Sequence, residues 1–155
     1  MTAELLDISA DEYFAIDAFS SSLANTLLTR SPLHARAEQQ QERVKPPTKS
    51  MDRGTVVHSL VLGKGKRFRS LAYPDYKTKA AQTDRDAARD DGEVPILAHE
   101  LMTANVIADA VKKQLAARGI VLDGISEAAI RWTEETPFGD VACRGMLDHL
   151  RLNRG

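Results

Sequence analysis

Met51-Asp52-Arg53-Gly54-Thr55-Val56-Val57-His58-Ser59-Leu60-Val61-Leu62 is the stretch from which the rest of the chain is read. At helical spacing Val56 stands one turn before Leu60, and Val57 one turn before Val61, so the apolar residues form stripes along a helix. Nearly every face is apolar, the pattern of a helix packed on more than one side. Gly54 lies one turn before His58 on the same face, and a glycine there predicts that another backbone comes close beside the imidazole. Gly63 supplies the stop signal. Two readings of His58 fit: a satisfied histidine in a core helix, or a ligand that such a helix presents. Residues far downstream bear on the choice.

Composition narrows the setting. The 155 residues suit one domain, and 43% apolar content is enough for a real core. Twenty-one basic and 22 acidic residues leave a formal charge of -1, so no global field announces a nucleic-acid or membrane partner and any polyanion site must be local. Cys143 is the single cysteine, which excludes an internal disulfide and a cysteine-rich zinc cage and fits a reducing compartment. Glu4 and Asp7 stand where a signal peptide would carry positive charge, and no apolar run approaches a membrane span. The expectation is a cytoplasmic protein.

Outward from the central helix, the start of the chain, residues 1–50, is expected to be helical. Leu5 to Phe19 has no sustained period. Ser20-Ser21-Ser22 offers N-caps for a short helix through Leu23, Leu27 and Leu28. Ser31-Pro32 opens a second helix through Leu33, Ala35 and Ala37, serine capping and proline at the first helical position. Gln39 to Ser50, with Pro46-Pro47, reads as an exposed connection whose Arg43, Lys45 and Lys49 are solvated or touch phosphate. The histidine helix occupies residues 51–63. Phe68 to Tyr73 follows as a short strand closed by Pro74. Residues 74–95 are a charged loop, dense in Lys77, Lys79, Asp84, Arg85, Asp86, Arg89, Asp90 and Asp91; a surface helix, a mobile loop and a flap over a nucleic-acid strand all remain open for it. Ile96, Leu97, Leu101, Asn105, Ala108, Val111 and Leu115 approximate one face of a long helix, residues 96–118.

The last stretch, residues 126–152, changes to period two and predicts a hairpin. Ala128, Ile130 and Trp132 fall on one side, Glu127, Arg131 and Thr133 on the other, and Val141 to Leu152 alternates too. Thr136-Pro137-Phe138-Gly139 is a four-residue hairpin loop. If Glu135 faces Asp140, Glu127 falls opposite Asp148, where like charges about 5 Å apart repel unless something positive lies between them. A divalent cation resolves the conflict. Arg131 and Arg144 face each other in the same register, so diagonal salt bridges are an alternative, and one bulge would break the pairing.

The order Gly54-Thr55-Val56-Val57-His58, a long helix, Glu127 with Trp132, then Cys143-Arg144-Gly145-Met146-Leu147-Asp148 resembles the RecE-type, exodeoxyribonuclease VIII-like members of the PD-(D/E)XK nuclease superfamily. Ser20-Ser21-Ser22-Leu23, Ser31-Pro32-Leu33-His34 and the charged section before Pro95 also resemble that domain. The likeness spans most of the chain. It implies an α/β fold, a PD-(D/E)XK restriction-endonuclease-like core with a mixed sheet flanked by helices. It also implies metal-dependent degradation of one strand of linear double-stranded DNA in phage-type recombination. The implied partners are double-stranded DNA ends, further copies of the chain and a single-strand annealing protein. By the same resemblance His58 and Asp148 are metal ligands, and Glu127 is the acidic catalytic residue of the preceding strand. Carboxylate oxygens suit Mg²⁺ or Mn²⁺, and imidazole tolerates Mn²⁺ the better.

The family pattern continues from this aspartate into a strand ending Asp-x-Lys. The sequence given ends at Arg151-Leu152-Asn153-Arg154-Gly155, where that strand is due, so the core is expected to be C-terminally incomplete and the chain inactive alone. Asp75-Tyr76-Lys77 has the spacing but sits in a charged loop after Pro74. A non-catalytic DNA-binding relative and a structural or interaction protein are the alternatives. Salt-sensitive DNA binding without metal-dependent cleavage would mark the first, and concentration-dependent size the second.

Overall fold

A computed structural model of the chain describes residues 2–39 and 47–151. The elements run β1 (Glu4–Leu6), α1 (Ala10–Ala15), α2 (Ser21–Thr29), α3 (Pro32–Gln39), α4 (Lys49–Leu62), β2 (Phe68–Leu71), α5 (Lys79–Asp90), β3 (Val94–Leu97), α6 (Ala98–Ala117), β4 (Ile125–Thr136) and β5 (Gly139–Leu150), a mixed α/β architecture. They fall into two compact units. One holds Met1–Lys45 and Glu127–Gly155, the other Pro46–Ser126.

In the first unit local signals set the helix starts. Ser9 and Glu12 form a reciprocal capping box on α1, Ser20 caps α2, and Pro32 is the first residue of α3, as its fixed φ favours. The sheet order is β1-β4-β5. Strand β1 runs antiparallel to β4 with Glu4 opposite Arg131, Leu5 opposite Ile130 and Leu6 opposite Ala129. A three-residue strand leaves no readable alternation, which is why β1 is invisible in the sequence. Arg131 pairs with Glu4 at 2.7 Å, so it answers the neighbouring strand's carboxylate and not a diagonal partner on β5. Arg144 reaches the carbonyl of Tyr13, and its guanidinium lies over the Tyr13 ring at 4.9 Å. Phe19 adds a parallel bridge beside Cys143, donating its amide to Ala142 O and accepting from Arg144 N, both at 2.8 Å.

The hairpin differs from expectation in two places. Its turn has two residues, Pro137 and Phe138, because Thr136 and Gly139 belong to the strands, and Thr136 Oγ1 braces it by accepting from Phe138 N and donating to Gly139 O. At the other end Glu127 has φ +51°, the left-handed region that few non-glycine residues occupy. Ala128 and Ala129 are consecutively buried just after it, so the two-residue alternation cannot be carried through Glu127. Leu152, at the expected end, lies outside the described residues.

In the second unit β2 and β3 pair in parallel, Phe68 opposite Val94 and Leu71 opposite Leu97, with α5 as the crossover. All four residues of β3 are buried, as in a strand covered on both faces. The expected charged loop over 74–95 therefore holds a helix: Ala81 and Ala88 are fully buried on the inner face of α5, Arg85 and Arg89 are half-buried, and Asp84, Asp86 and Asp90 are exposed. Val56, Val94, Ile96 and Ala104 form the core, with Val57, Leu60, Phe68 and Leu101 packed against it. Helix α4 starts at a Thr48 cap and stops at Gly63, whose φ of +66° is the left-handed cap conformation. It buries Asp52 and Val56, and every residue from Thr55 to Leu62 is at least partly buried, so its second half is covered on more than one side while its first half is open. Gly54 is exposed, and a Cβ there would meet nothing within 4 Å, so among the described residues no backbone approaches the helix at that point. The first residues of the expected connection, 40–46 with Arg43 and Lys45, lie outside the described residues.

Candidate functional site

His58 is half-buried in the C-terminal half of α4, two residues past the buried Val56 and so turned well away from the core side. Ser59 Oγ donates to Thr55 O at 3.0 Å and to Lys66 O at 3.2 Å, fastening the last turn of this helix to the loop after it. Ser126 Oγ, at the start of β4, donates to Leu62 O at 3.2 Å, one turn beyond His58. Glu127 is the next residue of the chain. Glu127, half-buried, and Asp148, exposed, lie on β4 and β5. Each is nine residues from the edge of the turn, so the antiparallel hairpin carries both at its end remote from Pro137-Phe138. The structure thus brings Glu127 and Asp148 to one end of a hairpin in the first unit and puts His58 on a helix of the second. Among the described residues no group of three or more His, Cys, Asp and Glu side chains is placed to hold a metal ion. His149, beside Asp148, is half-buried where Asp148 is exposed.

Asp75 and Lys77 do not imitate a catalytic Asp-x-Lys. Asp75 Oδ1 accepts from Lys77 N at 2.9 Å and Oδ2 pairs with Lys77 Nζ at 3.3 Å, a closed turn in which these bonds hold the Asp75 carboxyl below its ordinary value. Of the candidate phosphate contacts, Lys49 pairs with Glu100 at 3.0 Å.

Sequence reasoning missed a polar cluster in the second unit. Arg89 Nη2 donates to Asp52 Oδ2 at 2.9 Å and to Pro47 O at 3.1 Å, clasping the first turn of α4 to α5. Burial pushes the Asp52 carboxyl above its ordinary value, opposed by the Arg89 hydrogen bond and charge. Beside it the Tyr76 hydroxyl is buried without a hydrogen-bond partner among the described residues, and Arg85 lies over the Tyr76 ring at 5.7 Å. Burial, then the charges of Glu100 and Asp52, raises the Tyr76 phenol. One signal was legible: Asp52 precedes Val56 and Leu60 at four-residue steps, a carboxylate on an apolar face, which requires a cation. With its charges already paired, the cluster fixes helices and offers no open coordination or acid-base position.

The first unit also contains a trough of about 940 Å³. Phe14, Leu23 and Leu27 give it apolar walls, with Arg36 and Arg144 among its polar lining. Its two carboxylates are each held by a neutral donor, Asp17 by Gln39 Nε2 at 3.1 Å and Glu38 by Thr26 Oγ1 at 2.7 Å. Among the described residues no helix is long and apolar enough to cross a membrane. No protein-family model, curated protein or solved structure matches the chain.

Proposed function

We propose that the chain belongs to a metal-dependent exodeoxyribonuclease of the RecE type, built on a PD-(D/E)XK core and acting on the ends of linear double-stranded DNA. The observation that carries this reading is the hairpin that takes Glu127 and Asp148 to one end, in a chain where a histidine-bearing helix precedes it in the family's order. The donor set fits the ion the family uses. Imidazole and carboxylate oxygens together suit Mn²⁺ and accept Mg²⁺, with His58 and Asp148 as ligands and Glu127 as the second acidic group. Such an ion, when bound, polarises a phosphodiester and lowers the pKa of an attacking water. His58 and Asp148 provide the coordination, and Glu127 adds a second carboxylate. No covalent nucleophile is required of the chain.

Titration of Mn²⁺ into the purified chain by calorimetry, with His58→Ala and Asp148→Ala alongside, tests this directly. Saturable binding in the wild type, weakened at least about tenfold in each variant, is the expected result. A folded wild type that takes up no Mn²⁺ overturns it. A linear-duplex digestion run on the same samples reports activity separately from binding.

A further inference from the structure

Helix α6 ends at a glycine, and the chain turns there. Gly119 has φ +69°, and Gly119 N and Ile120 N donate to Ala116 O and Leu115 O, both at 3.0 Å, so the last turn of the helix is closed by its own chain. The turn brings the apolar run Ile120-Val121-Leu122 back beside Leu115 and Ala116. With Val61 of α4 as a further wall, these residues surround a hollow of about 420 Å³ that lies wholly in the second unit. Its size falls among small-molecule sites, which run from about 300 to 1,000 Å³. Small residues leave the space: Ala116 is part of the lining, and a Cβ at Gly119 would meet nothing within 4 Å. Ile120 and Val121 are 46% and 53% exposed, so apolar walls face water.

The chemistry of this hollow is one-sided. Lys112 is the single charged residue of the lining, and it is exposed and makes no ion pair among the described residues. No hydroxyl, amide or aromatic side chain stands with it. Residues 53–74 and 110–122, which supply every wall, contain no Asp or Glu, and the flanking Asp109 and Asp123 are outside the lining. Lys64, Lys113 and Arg118, all exposed, add positive charge from the same two stretches. Aliphatic walls with one cation at the edge match a ligand that has an apolar chain and a single anionic end, and they leave the polar groups of a hydroxylated or cationic one without partners. We infer that the hollow binds an aliphatic carboxylate, its chain against Leu115, Ile120 and Val121 and its carboxylate on Lys112. The inference stands apart from the nuclease reading, since the lining includes none of His58, Glu127 and Asp148 and the contact requires no metal.

Decanoate is the probe, followed by heteronuclear NMR of the full chain. It should shift the signals of Val61, Lys112 and residues 115–122 saturably, with a dissociation constant on the order of 1 mM or tighter. Decyltrimethylammonium, with the same chain and the opposite charge, should bind at least about tenfold more weakly. Lys112→Glu should weaken decanoate at least about tenfold and remove the preference for the anionic probe. Ala116→Trp, which fills the hollow, should abolish saturable binding of both probes. Both substitutions are at exposed positions, and circular dichroism checks that each variant is folded. A folded wild type without saturable shifts at these residues, equal binding of the two probes, or a folded variant of either kind that takes decanoate as the wild type does would each overturn the assignment.

Discussion

Asp52 lies on the inner face of α4, 6% exposed, with Arg89 as its cation. Burial raises its pKa above the ordinary 3.8, so the folded chain holds this proton more tightly than the unfolded chain does. The stability this gives is fully present below the ordinary value and is lost as pH rises through the raised one. Asp52→Asn removes that dependence while keeping a side chain of the same shape. In urea unfolding the wild type should gain on Asp52→Asn as pH falls from about 7 to about 4, and a difference constant with pH would contradict the assignment. Arg89→Ala leaves the carboxylate buried and unpaired and should cost roughly 2–3 kcal/mol at neutral pH in the same experiment. Arg144 makes a different kind of contact. Its stacking on Tyr13 and its bond to the Tyr13 carbonyl join β5 to α1, and Arg144→Ala should destabilise the first unit by about 1–2 kcal/mol in thermal unfolding.

Among the elements α5 is the instructive one. Its twelve residues are mostly charged or polar, and a reading by composition leaves a surface helix, a mobile loop and a flap open. Two alanines decide for the helix. Ala81 and Ala88, two turns apart, are fully buried where α5 packs against β2 and β3, and alanine lets the helix come close while its carboxylates stay in water. Ala88→Asp should therefore cost at least about 3 kcal/mol by placing a carboxylate in that contact. A segment that is a mobile flap would tolerate the same change, so chemical unfolding of this variant separates the two. Helix α4 divides along its length. Its apolar stripes suggest burial on several sides, and every residue from Thr55 to Leu62 is at least partly buried, while Gly54 in the first half is open. A stripe fixes which residues can face a core, and neighbouring elements fix how many do.

For the whole chain, the starts of α2 and α3 and the stop of α4 were legible because caps act within four residues: Ser20, Pro32 and Gly63 all stand where their local chemistry puts them. The long helix is found over Ala98–Ala117 and the hairpin over residues 125–150 for the same reason, periods of 3.6 and 2 sustained over many residues, but Ile96 and Leu97, expected on the helix, belong to β3, where a short apolar run fits either element. The short strand β1, the parallel pairing of β2 with β3 and the clasp between Asp52 and Arg89 depend on residues far apart in the chain, and no local pattern records them. The candidate site divides along the same line. That Glu127 and Asp148 share one end of a hairpin follows from counting outward from Pro137-Phe138. The left-handed backbone at Glu127 does not, since an isolated φ of +51° is imposed by the surrounding structure and disfavoured by the residue itself. What the sequence determined by itself is the mixed α/β class, the element types and the residues available to face a core, because propensity, capping and periodicity are short-range. What only the tertiary structure decided is which charges are paired, which faces are covered and where the trough and the hollow at the end of α6 lie, because burial and ion pairing depend on atoms that chain order leaves far apart.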